Sequence, residues 1–196
     1  MTVPLEPSPV PVVFSAAVDG LRDAMRSEQR PGVLVLQEVP APRRLAPHAV
    51  AFAADVLRSD EEVGSGRFVV LHDPAGQDGW QGDTRVVAFV SADVEPEMAV
   101  DPALAAVGWS WLVEALAERG ARHTAAGGTV TRTASLRFGV MQAPDETNEV
   151  EVRASWTPLP AADGSLDLAV HLQAWCDLLS ATSGLPPIGV TSLPSR

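Results

Sequence analysis

Two stretches of the chain hold residue types from which a catalytic or metal site could be built. His72-Asp73 follows an apolar run, Phe68-Val-Val-Leu71. An imidazole beside a carboxylate can serve as a general base or lend a ligand pair to a metal. The same Asp73-Pro74 pair also starts and caps a turn, which needs no chemistry. Farther on, Asp93, Glu95, Glu97 and Asp101 bring four carboxylates close together in sequence. Such a set could bind a divalent cation or share a proton. However, Asp101 is placed to cap a helix, and Asp93 and Glu95 share a strand face with Arg85. His72, Asp73, Glu95 and Glu97 therefore make up the enzyme-type alternative, a hydrolase-like acid/base site.

Other nucleophile patterns are incomplete. Ser110 lies in Gly108-Trp-Ser-Trp-Leu112, inside a helical pattern and not at a strand-to-helix elbow. Cys176 is the one cysteine and sits on an apolar helix, so internal disulfides and Cys-cluster zinc sites are excluded. His48, His72, His123 and His171 are scattered and form no metal-ligand spacing. All 14 basic residues are arginine. The absence of lysine excludes a phosphate-binding Walker loop and any Schiff-base chemistry. Tyrosine is absent too. No catalytic residue, metal site or cofactor is assigned on these grounds.

The five tryptophans are surplus to such chemistry. Trp111 and Trp175 fall on core stripes. Trp80, Trp109 and Trp156 are left to line a groove, with Arg85 and Arg153 at its rim. An aromatic groove edged by arginine suits a peptide or an apolar ligand. The plainer reading is that these rings clamp a long loop onto the sheet.

The elements that position these residues follow from periodicity. The segment 13–28 is a helix with Phe14, Val18, Leu21 and Met25 on its buried stripe. Val33–Leu36 is a strand, and Pro47 opens a second helix over 48–58. Residues 59–66 are a polar loop. Strands at 67–72 and 84–94 form an antiparallel pair across a turn-rich loop holding Trp80. In the second of these, Val87 and Phe89 beside Val86, Ala88 and Val90 suggest that both faces are partly covered. The central helix runs from Asp101, its N-cap, and Pro102 to Gly120, with Leu104, Val107, Trp111, Leu112, Ala115 and Leu116 facing the core. Trp109 points away from that stripe, where a partner surface or a covering loop could meet it. Strands at 129–138 and 150–156 follow, then an apolar helix over 165–182 that is either deeply packed or half of an interface. The sum is an α+β fold with a mostly antiparallel sheet of about five strands and about four helices. The central helix divides two strand pairs, and helices cover one face. Residues 1–12 read as a flexible proline-rich tail, 13–187 as a single domain and 188–196 as a C-terminal tail.

Composition narrows the class. The chain has 196 residues, 46% of them hydrophobic, enough for a real core in one domain. A formal net charge of −11 argues against nucleic acid and against an anionic membrane surface. It favours solubility or a basic partner. The N-terminus lacks the basic region of a signal peptide, and no apolar run is long enough to span a bilayer, so a cytoplasmic location is expected.

Several motifs carry a family likeness. They include Pro40-Ala-Pro42, Leu45-Ala-Pro47, Leu71-His-Asp-Pro74, Trp80, Glu95-Pro-Glu97, Gly108-Trp-Ser-Trp-Leu112, Arg153-Ala-Ser-Trp-Thr-Pro158 and Gly184-Leu-Pro-Pro187. Together they resemble an uncharacterised actinobacterial family, a domain of unknown function numbered three thousand, over about Phe14 to Pro187. The likeness implies a soluble single-domain bacterial protein and carries no activity or catalytic residue with it. Apart from the helix at 48–58, the element order is also similar to secretion-chaperone-like α+β proteins, which are small, acidic and often dimeric through helices. That is fold-level analogy. The reading at this stage is a non-enzymatic protein- or peptide-binding adaptor, its partner unidentified and a homodimer left open. The alternatives are a small-ligand binder in the aromatic groove or the His72 enzyme.

Overall fold

In the computed structural model, which describes residues 10–29, 33–141 and 146–185, strand alternation sorts the apolar side chains onto one face of a single sheet. The expected tails at 1–9 and 188–196, and the helix breaker Pro31-Gly32, lie outside the described residues. The sheet has six strands, β1 (Leu34–Val39), β2 (His48–Arg58), β3 (Glu61–His72), β4 (Thr84–Asp93), β5 (His123–Ser135) and β6 (Thr147–Pro158). Their spatial order is β1-β2-β3-β4-β6-β5, with every pairing antiparallel.

The expected helix over 48–58 is instead β2. Val50, Ala53, Ala54 and Leu57 fit a helical stripe, but the segment also alternates. His48, Val50, Phe52, Ala54 and Val56 are buried on one face. β-Branched and aromatic residues at every second position satisfy a strand, and pairing with strands on both sides decides it. The expected polar loop at 59–66 is a two-residue hairpin turn. Ser59 and Asp60 both have positive φ, 54° and 66°, and Arg58 pairs with Glu61. Two consecutive left-handed residues are what the type I′ turn of a tight hairpin requires. These two corrections give six strands where about five were expected.

Three helices cover one face: α1 (Val12–Glu28), α3 (Leu104–Glu118) and α4 (Ala169–Thr182); a single turn, α2 (Pro96–Ala99), precedes α3. α4 packs on β3 and β4, with α1 and α3 on either side of it. It buries Leu172, Ala174, Trp175, Cys176, Leu178 and Leu179 completely. Its apolar circumference is thus explained by deep packing within the chain. The helix starts at Ala169, later than expected, where the Asp167 carboxylate accepts from the Ala169 N–H at 3.1 Å. On α1 the expected stripe is in place, with Phe14, Val18 and Leu21 buried and Met25 packed against them.

The central helix differs from expectation in its inner face. Leu104, Gly108, Leu112, Ala115 and Leu116 are buried, whereas Val107 is 39% exposed and Trp111 only half-buried. Gly108 takes the place of a large residue because the helix rides close to the sheet there. A Cβ on Gly108 would lie 3.3 Å from Val130. The start is also shifted. Asp101 accepts from the Ala103 N–H at 2.8 Å in a turn that precedes Leu104. Gly120 ends the helix at φ 64°, with the Ala121 N–H returning to the Leu116 carbonyl at 2.8 Å.

Close approach of α4 depends on a glycine of β3. A Cβ on Gly66 would lie 2.8 Å from the Trp175 ring and 2.9 Å from the Phe89 carbonyl. Gly66→Ala is expected to cost about 1–3 kcal/mol by overpacking, read as a lower urea midpoint with an unchanged slope. An unchanged midpoint would mean that Trp175 is not seated on this glycine.

Candidate functional site

Among the described residues, the opposite face of the sheet carries no helix. At its β2–β3 corner the loop 73–83 folds back, and Trp80 packs with Ala51, Val69 and Leu71 in a small second cluster. The Trp80 carbonyl accepts from the Thr157 hydroxyl, which pins the loop to β6. Beyond that corner the face is open. Val87 is 37% exposed and Phe89 half-buried, in keeping with the partial cover expected over both.

Register places one row of side chains across this open face. Ala53 pairs with Arg67, Arg67 with Phe89, Phe89 with Arg153 and Arg153 with Thr129. Phe89 is thereby flanked by two arginines whose Cα atoms are about 10 Å apart, two strand spacings. The Arg153 guanidinium lies over the Phe89 ring at 5.2 Å from its centroid, a cation–π contact. Glu151 also holds Arg153, at 2.9 Å. Arg67 is exposed and has no hydrogen-bond or ion-pair partner among the described residues. Beside the row, Val87, Ser155 and Gly127 floor a shallow depression of about 470 Å³, edged by Phe89, Arg153 and Thr129.

Arg85 closes the lower end. Its guanidinium donates to the Ser155 hydroxyl at 2.7 Å, the Ser155 carbonyl at 3.2 Å, the Thr157 hydroxyl at 3.1 Å and the Ala125 carbonyl at 2.9 Å. All four acceptors are neutral, and burial draws its pKa down from the usual arginine value. The Ala125 contact fixes a bulge in β5, where φ of Ala125 is 51° and the register to β6 shifts before Gly127. The cation stitches β4, β6 and β5 together.

The five residues expected to share one groove are therefore split by the sheet. Trp80, Arg85 and Arg153 lie on the open face. Trp109 and Trp156 lie on the helix-covered face. Trp109 lies over Gly128, where a Cβ would meet its ring at 2.9 Å. Trp156 is wholly buried and donates its indole N–H to His171 Nδ1 at 3.0 Å. Arg67 and Phe89 escaped the sequence reading as site residues. The signal was present in the alternation Arg67, Val69, Leu71 against Phe68, Val70, His72, but lateral strand order was needed to bring Arg67 beside Phe89.

The second candidate set is not brought together either. His72 ends β3 on the covered face, stacked on Phe14 at 4.9 Å and 6.1 Å from the His48 ring. Its Nδ1 lies 2.9 Å from the Thr84 hydroxyl, which donates to Asp83 at 2.8 Å. The hydroxyl's own proton is committed to Asp83, so Nδ1 is the donor to Thr84. Burial lowers the pKa of His72, with Asp83 opposing. Asp73 accepts from the Ala75 N–H at 3.1 Å, the turn-capping role. Glu95 and Glu97 are exposed and lie beyond the other end of β4, about 30 Å away along the strand. Among the described residues, no group of three or more His, Cys, Asp or Glu could hold a metal ion.

His171 gives the chain a pH dependence with a definite sign. Burial, helped by His123, lowers its pKa to about 4. Its Nδ1 must stay unprotonated to accept from Trp156. The unfolded chain binds this proton more readily, so stability falls as pH drops from about 6.5 towards 4. The full effect is about 3 kcal/mol, with about 2 kcal/mol gone by pH 5. Urea titrations from pH 7 to 5 should show that loss in the wild type, and His171→Gln should flatten most of it. Equal slopes in the two proteins would contradict a neutral buried His171.

No curated protein and no solved structure matches the chain. Among the described residues no helix is long and apolar enough to cross a membrane. A family model described as "Protein of unknown function (DUF3000)" matches residues 10–191, nearly the whole length. The chain belongs to this uncharacterised family.

Proposed function

We propose that the protein is a non-enzymatic binding module that recognises a protein or peptide through the open face of its sheet. The observation that carries this reading is the row Arg67–Phe89–Arg153 on a surface that no helix covers among the described residues. An aromatic ring between two arginines offers apolar contact and paired donors in one place, the residue types that dominate binding energy at interfaces. Thr129 and Ser155 add hydroxyls at the margin. The tryptophans contribute only Trp80, at one corner.

A small anionic ligand is the second reading. The depression of about 470 Å³ is of the size of small-molecule sites, and Arg153 stands at its edge. The hydrolase alternative draws no comparable support, because His72 is tucked under Phe14 and the carboxylates near Glu95 lie at the far end of the sheet.

Capture from native lysate on immobilised protein tests the leading reading. The double variant Arg67→Glu/Phe89→Thr should lose the proteins retained by the wild type while keeping its unfolding temperature within a few degrees. Trp109→Phe, altered on the covered face, should retain them. Identical retention by all three proteins would refute the open-face site.

A further inference from the structure

The two edges of the sheet are unlike. β1 is six residues long, runs into Pro40-Ala-Pro42, and carries Glu38, which is tied to Arg22 of α1 at 3.0 Å. Short length, proline and charge are how proteins blunt an edge. β5 is thirteen residues long and exposed along most of its length. Its bulge lies near the start, which leaves Gly127–Ser135 as a regular run whose outer backbone groups face no strand among the described residues.

The chemistry of this edge differs from that of the molecule. The chain has 25 acidic residues against 14 arginines, yet none of the 25 falls between Arg119 and Pro144. Arg132 stands on the edge strand and donates to the carbonyls of Ala99 and Asp101. Arg137 follows it, exposed and with no partner among the described residues. On the neighbouring strand Glu149 accepts from the Ser91 hydroxyl and Glu151 from Arg153, and beside Arg132 the Asp101 carboxylate accepts from the Ala103 N–H. Past the strand, Leu136 and Phe138 are 64% and 78% exposed.

We infer that β5 is a docking edge for an extended acidic peptide segment of a partner protein, which adds to the sheet as a seventh strand. Strand addition takes its affinity from main-chain hydrogen bonds and its selectivity from alternate side chains. Here carboxylates on the partner would meet Arg132 and Arg137, and an apolar residue would cover Leu136 or Phe138. At physiological salt exposed charges interact over only about 8 Å, so the partner strand meets this local strip and not the net charge. A second copy of the chain is the poorer occupant, because it would set Arg132 and Arg137 against the same basic edge. The edge uses different atoms from the open face, so either site can fail without the other.

The probe is a fluorescein-labelled decapeptide of alternating Glu and Val, with an alternating Lys and Val peptide as control. Anisotropy should show the Glu peptide binding at least tenfold tighter. Methylating alternate backbone nitrogens of the Glu peptide should abolish binding. Arg137→Glu, a substitution at an exposed side chain, should weaken binding at least fivefold. Amide exchange by NMR should slow at alternate residues within 127–135 on adding peptide. The inference is overturned if the two peptides bind alike, if the Glu peptide does not bind at millimolar concentration, or if N-methylation has no effect. It is also overturned if light scattering shows a dimer that protects these amides without peptide. Shifts centred on Arg67 and Phe89 with no β5 protection would overturn it while leaving the open-face reading in place.

Discussion

The seating of Trp175 on Gly66 is the contact on which the rest of the molecule depends. With no side chain at Gly66, the indole reaches the sheet itself and donates to the Phe89 carbonyl at 3.1 Å. The ring also packs against Phe68 at 5.6 Å. This holds α4 low across β3 and β4. α1 and α3 then flank α4, and Arg119 of the α3 C-cap is locked to Asp177 of α4 through two bonds of 2.6 and 2.8 Å. All three long helices are thereby committed to one face. The bare opposite face is a consequence of that commitment. The same contact fixes the backbone of Phe89, whose side chain then projects to the other side between Arg67 and Arg153.

Two kinds of polar interaction divide the labour on the two faces. On the covered face, buried polar groups pair with one another, as Trp156 does with His171 and His72 with Thr84, with His48 an exception. The His48 Nε2 is buried without a hydrogen-bond partner among the described residues, next to the stacked His72 and Phe14. On the open face, arginine does the work. Arg85 is spent on structure, holding the β5 bulge with four neutral acceptors. Arg67 and Arg153 stay at the surface. A chain without lysine has only guanidinium to present, and its planar fork and affinity for aromatic faces suit a surface built around one phenyl ring.

Much of the architecture was legible in the residues. The stripe of α1, the β3–β4 pair, the alternating β6 and the left-handed Gly120 all follow from period and capping chemistry. The segment 48–58 was not, because an alanine-rich run satisfies helical and strand periods at once, and only its neighbours on both sides select the strand. Ser59-Asp60 gives no glycine signal for a tight turn. The inner face of α3 departs from the apolar stripe at Val107 and Trp111, because a glycine, Gly108, marks the point of closest approach and hydropathy gives glycine no weight. The site was half legible. Trp80, Arg85 and Arg153 were singled out and do share a face, whereas Trp109 and Trp156 were assigned by residue type alone. Which face a strand residue takes is readable from alternation. Which residue lies beside it two strands away is not, and that is how Arg67 was overlooked.

The central claim is that one face of the sheet is sealed by helices and the other is free to bind. Relaxation of methyl protons by an inert, soluble gadolinium chelate measures this directly in the unliganded protein. The account predicts strong broadening for the methyls of Val87, Thr129 and Thr131, and little for Val86, Val90 and Val152, which lie on the same or the adjacent strand but face the helices. Equal protection of both sets would contradict it, because some other part of the chain or a second copy would then cover the open face.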